Sequence, residues 1–420
     1  MPSNSPPKNT ALERFLRYVT YDTQSDENSQ TYPSTAKQLV LLDLLVEELR
    51  AIGLKDAARD EHGYVFATVP ATTKKPNVPV IGLIAHVDTS PEADGADVKA
   101  IVHRDWQGGD IVLPDDPATV LRVRDNPSLA RQKGSDIVTA SGKTLLGADN
   151  KAGVAEIVAA AEYLVQHPEI PHGALRLGFT PDEEVGGGTK HFDVKRFGAF
   201  CAYTMDGETL GEIEIETFSA DSTTVTFQGF NTHPGFAKDR MVNAIKVAAD
   251  FINLLPKDTL SPERTEKREG FVHPYVVEAS VEKTSVKFLI RDFVTAGLKV
   301  KEDLLEKLAK ETVASWKGAS VTVKVEESYR NMKEVLDKFP QVAEHAREAV
   351  RRMGLAVRET AIRGGTDGSR LSFMGLPTPN VFAGEHNFHS RLEWVSVQDM
   401  ERSVQAIVEI AKVWEEKTLA

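Results

Sequence analysis

The feature that most limits the fold is a run of buried segments in the first half of the chain. Residues 78–85 (VPVIGLIA) are continuously apolar, as in a strand covered on both faces. Residues 152–166 are rich in Ala and Val and read as a helix, and 174–179 (ALRLGF) read as a second buried strand. Strand, helix, strand in that order implies a right-handed crossover and an α/β layer, with a mixed, mostly parallel sheet flanked by helices. A further helix is expected over 34–52, where apolar residues recur at helical spacing between Ser34 and Gly53.

The middle of the chain has a different pattern. Residues 222–229 alternate like a half-exposed strand, 240–255 read as a helix, and 276–292 as two strands with a turn. A helix at 302–316 and a strand at 319–327 complete a small α+β unit with one antiparallel sheet. Helix and strand signals resume at 332–415, so the expectation is an inserted domain at 216–327 inside a larger domain of 1–215 and 328–420. Two to three domains suit a chain of 420 residues. The stretch 90–142 has weak periodicity and many Asp, Gly and Pro, and reads as an irregular excursion.

Charge and cysteine content narrow the function. A formal net charge of −12 without any Lys/Arg-rich block argues against nucleic-acid and anionic-membrane partners. No apolar run approaches the roughly 18–20 residues that span a bilayer, and Met1–Thr10 reads as a frayed end without the apolar core of a signal peptide. The lone Cys201 excludes an intrachain disulfide, and its apolar neighbours mark a buried, inert thiol. These readings fit a cytoplasmic protein.

Five short segments place metal-type ligands in loops or at strand ends, where open α/β sheets bind ligands. His86 follows the first buried strand, and Asp88 is positioned to orient its second ring nitrogen. Asp149, in the segment 146–153, reads equally as a helix N-cap and as a carboxylate bridging two cations. Asp182, Glu183 and Glu184 follow the second strand and precede three glycines. One of the adjacent glutamates can ligate a metal while the other stays free as a base; without a cation the packed acids would repel. Asp206 ends the segment 202–206, and His389 lies in a late loop with His386 as a competing choice. Nitrogen and oxygen donors without thiolates suit zinc, and also manganese or cobalt. Five ligands with one shared carboxylate suit two ions about 3.5–4 Å apart.

The segments HVD (86–88), GADNKAG (147–153), PDEEVGGG (181–188), MDG (205–207) and NFHSRLEW (387–394) occur in the order of the M20 di-zinc peptidases. The finer resemblance is to the peptidase T branch, the tripeptide aminopeptidases. It extends through residues 14–26, 142–153, 231–244, 288–293, 363–377 and 387–394. This resemblance implies one zinc held by His86, Asp149 and Asp206, and another by Asp149, Glu184 and His389, with His389 preferred over His386. It assigns Glu183 as general base and Asp88 as the aspartate oriented toward His86. The inserted domain would act as a lid and a dimerisation surface, bringing His233 to a neighbouring subunit's active site. Asn243 and Arg291 match lid positions that bind polar groups and the terminal carboxylate of a tripeptide, although Arg291 also reads as a structural partner of Asp292. The glycine-rich loop from Arg363 through Gly365 to Gly368 would let backbone approach a peptide closely. The bond after Asp149 is typically cis in this family, and Asn150 stands where many relatives carry Asp. An N-acyl amino acid deacylase or a dipeptidase would share the metal and base residues, so these remain alternative activities.

Overall fold

A computed structural model describes residues 10–419, and the expectation of a frayed N-terminus lies outside the described residues except at Thr10, which opens a helix, Thr10–Tyr18. The chain divides into two compact units. The first comprises residues up to Ile215 together with Val335–Thr360 and the segment from Thr366 onward. The second comprises Glu216–Glu334 and Ala361–Gly365.

The first unit is built on an eight-stranded mixed sheet. Its main elements, in chain order, are β1 (Ile81–His86), α1 (Ala148–Gln166), β2 (Leu175–Thr180), β3 (Cys201–Gly207), β4 (Asn380–Phe382) and α2 (Val397–Lys417). The neighbours β2, β1, β3 and β4 run parallel at its centre. Val65–Val69 flanks β2 and Glu212–Thr217 flanks β4, both antiparallel. All six residues of β1 are buried, which is why its sequence is an unbroken apolar run rather than an alternation. The crossover helix α1 packs on β1 and β3, with α2 and Thr10–Tyr18 against it. It lies so close to β3 that a Cβ on Gly153 would stand 2.0 Å from the Met205 carbonyl oxygen, so only glycine fits there.

Two local expectations are corrected. The helix predicted from residue 34 begins at Gln38. Ser34 and Thr35 do not cap it; Ser34 donates its N–H and hydroxyl to the Asp182 carboxylate, and Thr35 donates to the Gln24 carbonyl. The excursion 90–142 is partly ordered into strands. Ile101–His103 and Ile137–Thr139 pair with each other, and Trp394–Ser396 and Glu385–His386 extend that second sheet. The buried residues Trp106, Leu113, Leu121, Leu129, Ile137 and Trp394 form its core. The excursion thereby anchors the late loop that carries His389.

The second unit has an antiparallel sheet in the order Phe271–Ala279, Lys283–Asp292, Ser219–Gln228, Ser320–Tyr329. The helices Ala244–Leu254 and Thr295–Ala314 cover it around a core of Val225, Phe227, Phe251, Val286, Phe288 and Leu305. The second of these helices starts earlier than the expected 302, because Leu298 and Lys301 are buried and Lys301 pairs with Asp292. The unit runs past residue 327 because the last strand continues to Tyr329, and Asn331 then bonds to Thr217 and Phe293. It also takes in Arg363, whose guanidinium donates to the carbonyls of Lys267 and Glu269.

Candidate active site

The carboxyl ends of the central parallel strands deliver the acidic and imidazole groups to one place, as open α/β sheets do. His86 is the last residue of β1, Asp206 lies near the end of β3, and Glu183 and Glu184 follow β2. Asp149 stands at the start of α1, where the helical geometry is interrupted: Asp149 has φ −77° and ψ 106°, and its bond to Asn150 is cis. Asp149 is therefore not a helix N-cap, and its carboxylate is turned toward two histidines. His86 Nε2 lies 2.9 Å from Asp149 Oδ1 and 3.4 Å from Asp206 Oδ1. His389 Nε2 lies 2.7 Å from Glu184 Oε2 and 3.4 Å from Asp149 Oδ2. Asp149 thus faces both imidazoles at once. His386 faces elsewhere, stacked on Trp394 at a centroid distance of 4.2 Å, with Nδ1 3.2 Å from Glu208.

Buried scaffolding fixes these positions. Asp88 is fully buried, and its two carboxylate oxygens accept the backbone N–H groups of Glu183 and Glu184 at 3.0 and 3.1 Å. His86 Nδ1 lies 3.0 Å from the Asp88 backbone carbonyl and 3.3 Å from its carboxylate, so one residue orients both the imidazole and the acidic turn. Asp182, at φ 61°, locks that turn from behind, accepting from Ser34 and from Gln38 Nε2 at 2.6 Å. A Cβ on Gly188 would stand 2.3 Å from Asp367 Oδ1, so the glycine run lets a buried acid pack against the turn. The Glu393 carboxylate accepts the N–H groups of Leu146 and Gly147, each at 2.7 Å, and of Asp149 at 2.9 Å.

Glu393, Glu385, Asp367 and Asp182 carry no role in the sequence reading. Glu393 lies within NFHSRLEW, Asp367 within the segment 363–377 and Asp182 within PDEEVGGG, so three of the four stood in recognised segments. Their partners lie far away in sequence, which no local pattern reveals.

The electrostatics mark a site crowded with buried acids. Burial pushes Glu184 up to about 8, with the Asp149 carboxylate adding to the effect against His389. Burial likewise raises Glu183 well above the carboxylate range, against the pull of His86. Burial disfavours the charged imidazole of His389, yet Asp149 and Glu184 pull it up to about 11. Burial opposes ionisation of Asp149 too, but hydrogen bonds from His389 and His86 hold it well below its ordinary value. Around Asp149, Glu184 and Asp206 the compensating charge comes from the imidazoles of His86 and His389. Glu184 Oε1 is buried without a hydrogen-bond partner, and Asp206 Oδ1 is buried with His86 Nε2 at a long 3.4 Å. Ligand atoms of His86, Asp149 and Glu184 lie within 4.8 Å of one another, as do those of Asp149, Asp206 and Glu385. An orphaned acid oxygen and neutral-capable imidazoles in this array fit divalent cations.

Residues 145–413 match the profile of Peptidase family M20/M25/M40. The chain belongs to the M20 peptidase family. A peptidase T of Clostridium botulinum is 49% identical over 403 residues, covering 96% of this chain and 98% of its own. Among solved structures, a Staphylococcus aureus tripeptidase superposes with a TM-score of 0.77 at 21% identity, covering 99% of this chain and 100% of that one. A Bacillus subtilis protein described as a dinuclear metal-binding M20 peptidase superposes at 0.66 with 15% identity, covering 97% and 98%. These two likenesses are of fold. The family membership makes this chain a hydrolase of peptide bonds.

The remaining sequence candidates belong to the second unit. His233 is exposed, and its Nδ1 accepts the Gly235 N–H at 3.1 Å. Asn243 caps the helix Ala244–Leu254 through Ile245 N–H at 2.9 Å. The Arg291 guanidinium lies over the Tyr329 ring at 5.3 Å; Asp292 pairs with Lys301 instead. Gly365 packs where a Cβ would stand 2.7 Å from the Tyr329 ring.

Proposed function

We propose that this M20 peptidase is a two-metal aminopeptidase that removes the N-terminal residue from tripeptides. The observation that carries the metal part is the double engagement of Asp149 by His86 and His389, beside a buried Glu184 oxygen that has no partner. His86, Asp149 and Asp206 would hold one ion, and Asp149, Glu184 and His389 the other, with zinc first and manganese or cobalt as alternatives. Ions held there supply Lewis acidity and a water of lowered pKa. The tripeptide part is supported by the 49% identity to a protein named peptidase T.

The protein's own groups then have distinct tasks. Glu184 is committed to the metal, which leaves the Glu183 carboxylate to accept a proton from the attacking water and pass it to the leaving amine. Asp88 fixes the backbone under both glutamates, so the base cannot drift from the ligand beside it. His233 of a second copy would donate to the carbonyl oxygen of the cleaved bond. Asn243 and Arg291 would hold the substrate's polar groups and terminal carboxylate, while Arg363 and Gly365 shape the loop that borders them. Pairing of two copies through the second unit belongs to the same proposal, supported by its open edge strand, where Tyr275 is 49% and Val277 52% exposed. A cytoplasmic location fits the single buried thiol of Cys201.

The deciding experiment is a panel of di-, tri- and tetrapeptides, each with free and acetylated amines, assayed on metal-free and zinc-reloaded protein. Free-amine tripeptides should be cleaved after the first residue, only in the loaded form. Preference for acetylated amines would make the enzyme a deacylase, and an uncleaved tripeptide series would end the proposal. Sedimentation of the loaded protein tests the dimer.

A further inference from the structure

On the two-metal reading given above, we propose that Glu385 is an additional carboxylate ligand of the His86–Asp149–Asp206 subsite, and that it biases this subsite toward manganese(II). Glu385 sits in the short strand Glu385–His386, paired with Trp394 and Val395, just before the loop that carries His389. Its side chain is 1% exposed, no N–H or hydroxyl group among the described residues donates to either carboxylate oxygen, and the Asp206 carboxyl lies within hydrogen-bonding reach of it. One of those oxygens lies within 4.8 Å of ligand atoms of both Asp149 and Asp206, which are themselves within that span of each other.

An isolated buried carboxylate with no donor is among the costliest groups a protein can keep. It persists where a proton or a cation compensates it. The charged neighbours that act on Glu385 are the carboxylates of Asp149, Asp206 and Glu156, with His86 as the one opposing group. Asp149, Asp206 and Glu385 therefore bring three carboxylates to one point. A divalent ion relieves all three. With Glu385 included, this subsite has one nitrogen and three carboxylate donors, whereas Asp149, Glu184 and His389 give the other one nitrogen and two. Four protein donors make a more closed site, and added carboxylate favours harder ions such as manganese(II) over zinc. The prediction is a pair of unequal sites, the one containing Glu385 filling first with manganese.

The test is calorimetric titration of the metal-free full-length protein with Mn2+ and with Zn2+, with bound metal counted by mass spectrometry, for the parent and for Glu385→Gln. Glutamine matches the shape and can still donate a hydrogen bond to Asp206, so a purely positioning role would survive the change. The parent should bind two ions per chain. In Glu385→Gln one site should lose at least about tenfold in Mn2+ affinity, its Mn2+/Zn2+ preference should shift toward zinc, and the other site should be unchanged. Parent affinities at both sites in Glu385→Gln overturn the proposal. A parent that takes up fewer than two ions overturns the two-metal reading instead. Should the variant not fold, crystals of the Mn2+-loaded parent decide the matter: a Glu385 oxygen within about 2.5 Å of the ion supports ligation, and one beyond hydrogen-bond distance ends it.

Discussion

At the scale of single residues, the division of labour between Glu183 and Glu184 follows from contacts, not from their adjacency. Glu184 Oε2 faces His389 at 2.7 Å, whereas Glu183 is tied through its backbone, its N–H donating to Asp88 and its carbonyl accepting the Gly186 N–H. Replacing Glu183 with Gln should therefore lower kcat about 10²–10⁴-fold, the usual worth of a positioned general base, while bound metal per chain stays at the parent value. Loss of metal together with activity would make Glu183 a ligand. Glu156, whose carboxyl bears on Glu385, offers a stability test. It is fully buried on α1; Ser403 donates to Oε2 at 2.5 Å, and Oε1 has no partner. Burial raises its pKa well above the ordinary value. A carboxyl with a raised folded pKa gives stability that is complete below its unfolded pKa and fades as pH rises toward the folded one. Glu156→Gln should hence melt higher than the parent by a margin of a few degrees that grows from pH 5 to pH 8; a margin constant with pH would remove Glu156 as the source. The acidic turn, His86 and Asp149 stood out in the sequence because each follows an apolar strand or opens a helix, whereas His389 was preferred over His386 only through the family resemblance. Glu385 and Glu393 did not stand out, because what identifies them is burial and partners from other parts of the chain: Glu393 bonds to N–H groups 244 to 247 positions away.

At the scale of elements, the chemistry depends on how closely α1 approaches β3. Asp149 belongs to the first and Asp206 to the second, and Gly153 sets their separation against the Met205 carbonyl. A methyl group there has no space, so Gly153→Ala must push the helix off the strand. Overpacking of this kind costs roughly 1–3 kcal/mol, and it should weaken metal binding because Asp149 and Asp206 move apart. Thermal melting and metal content measured together check this. A variant with lowered melting temperature but unchanged metal affinity would show that the ligands are held by their loops alone. The buried strands β1 and β2 and the helix between them were readable from unbroken apolar runs. The helix start at Gln38 was misread, since Ser34 and Thr35 are good caps in isolation and here serve Asp182 and Gln24. The excursion 90–142 hid its strands for another reason: they are two or three residues long, too short to show a period.

At the scale of the whole molecule, every proposed metal ligand lies in the first compact unit, and that unit is discontinuous in sequence. Its ligand segments come from before and after the second unit: His86 through Asp206 precede it, and His389 follows. The alternating pattern of 222–229 and the resumption of helix signal at 332 made the insertion legible. The boundary was not, because residues 328–334 join the second unit through the side-chain bonds of Asn331, and 361–365 through those of Arg363. Binding free energy should therefore be stored unevenly along the chain. At a free metal concentration 100 times Kd, one site adds about 2.7 kcal/mol to the stability of the state that binds it. Hydrogen exchange can locate that gain. The amides of Leu146, Gly147 and Asp149, which Glu393 accepts, and those of Glu183 and Glu184, which Asp88 accepts, should exchange more slowly once metal is restored to chelated protein. The core strands Ser219–Gln228 and Lys283–Asp292 should exchange at the same rate with and without metal. Slowing across both units would mean that metal binding is felt through the whole chain, and slowing in neither would mean that the cluster of buried acids around Asp149 is stable without cations.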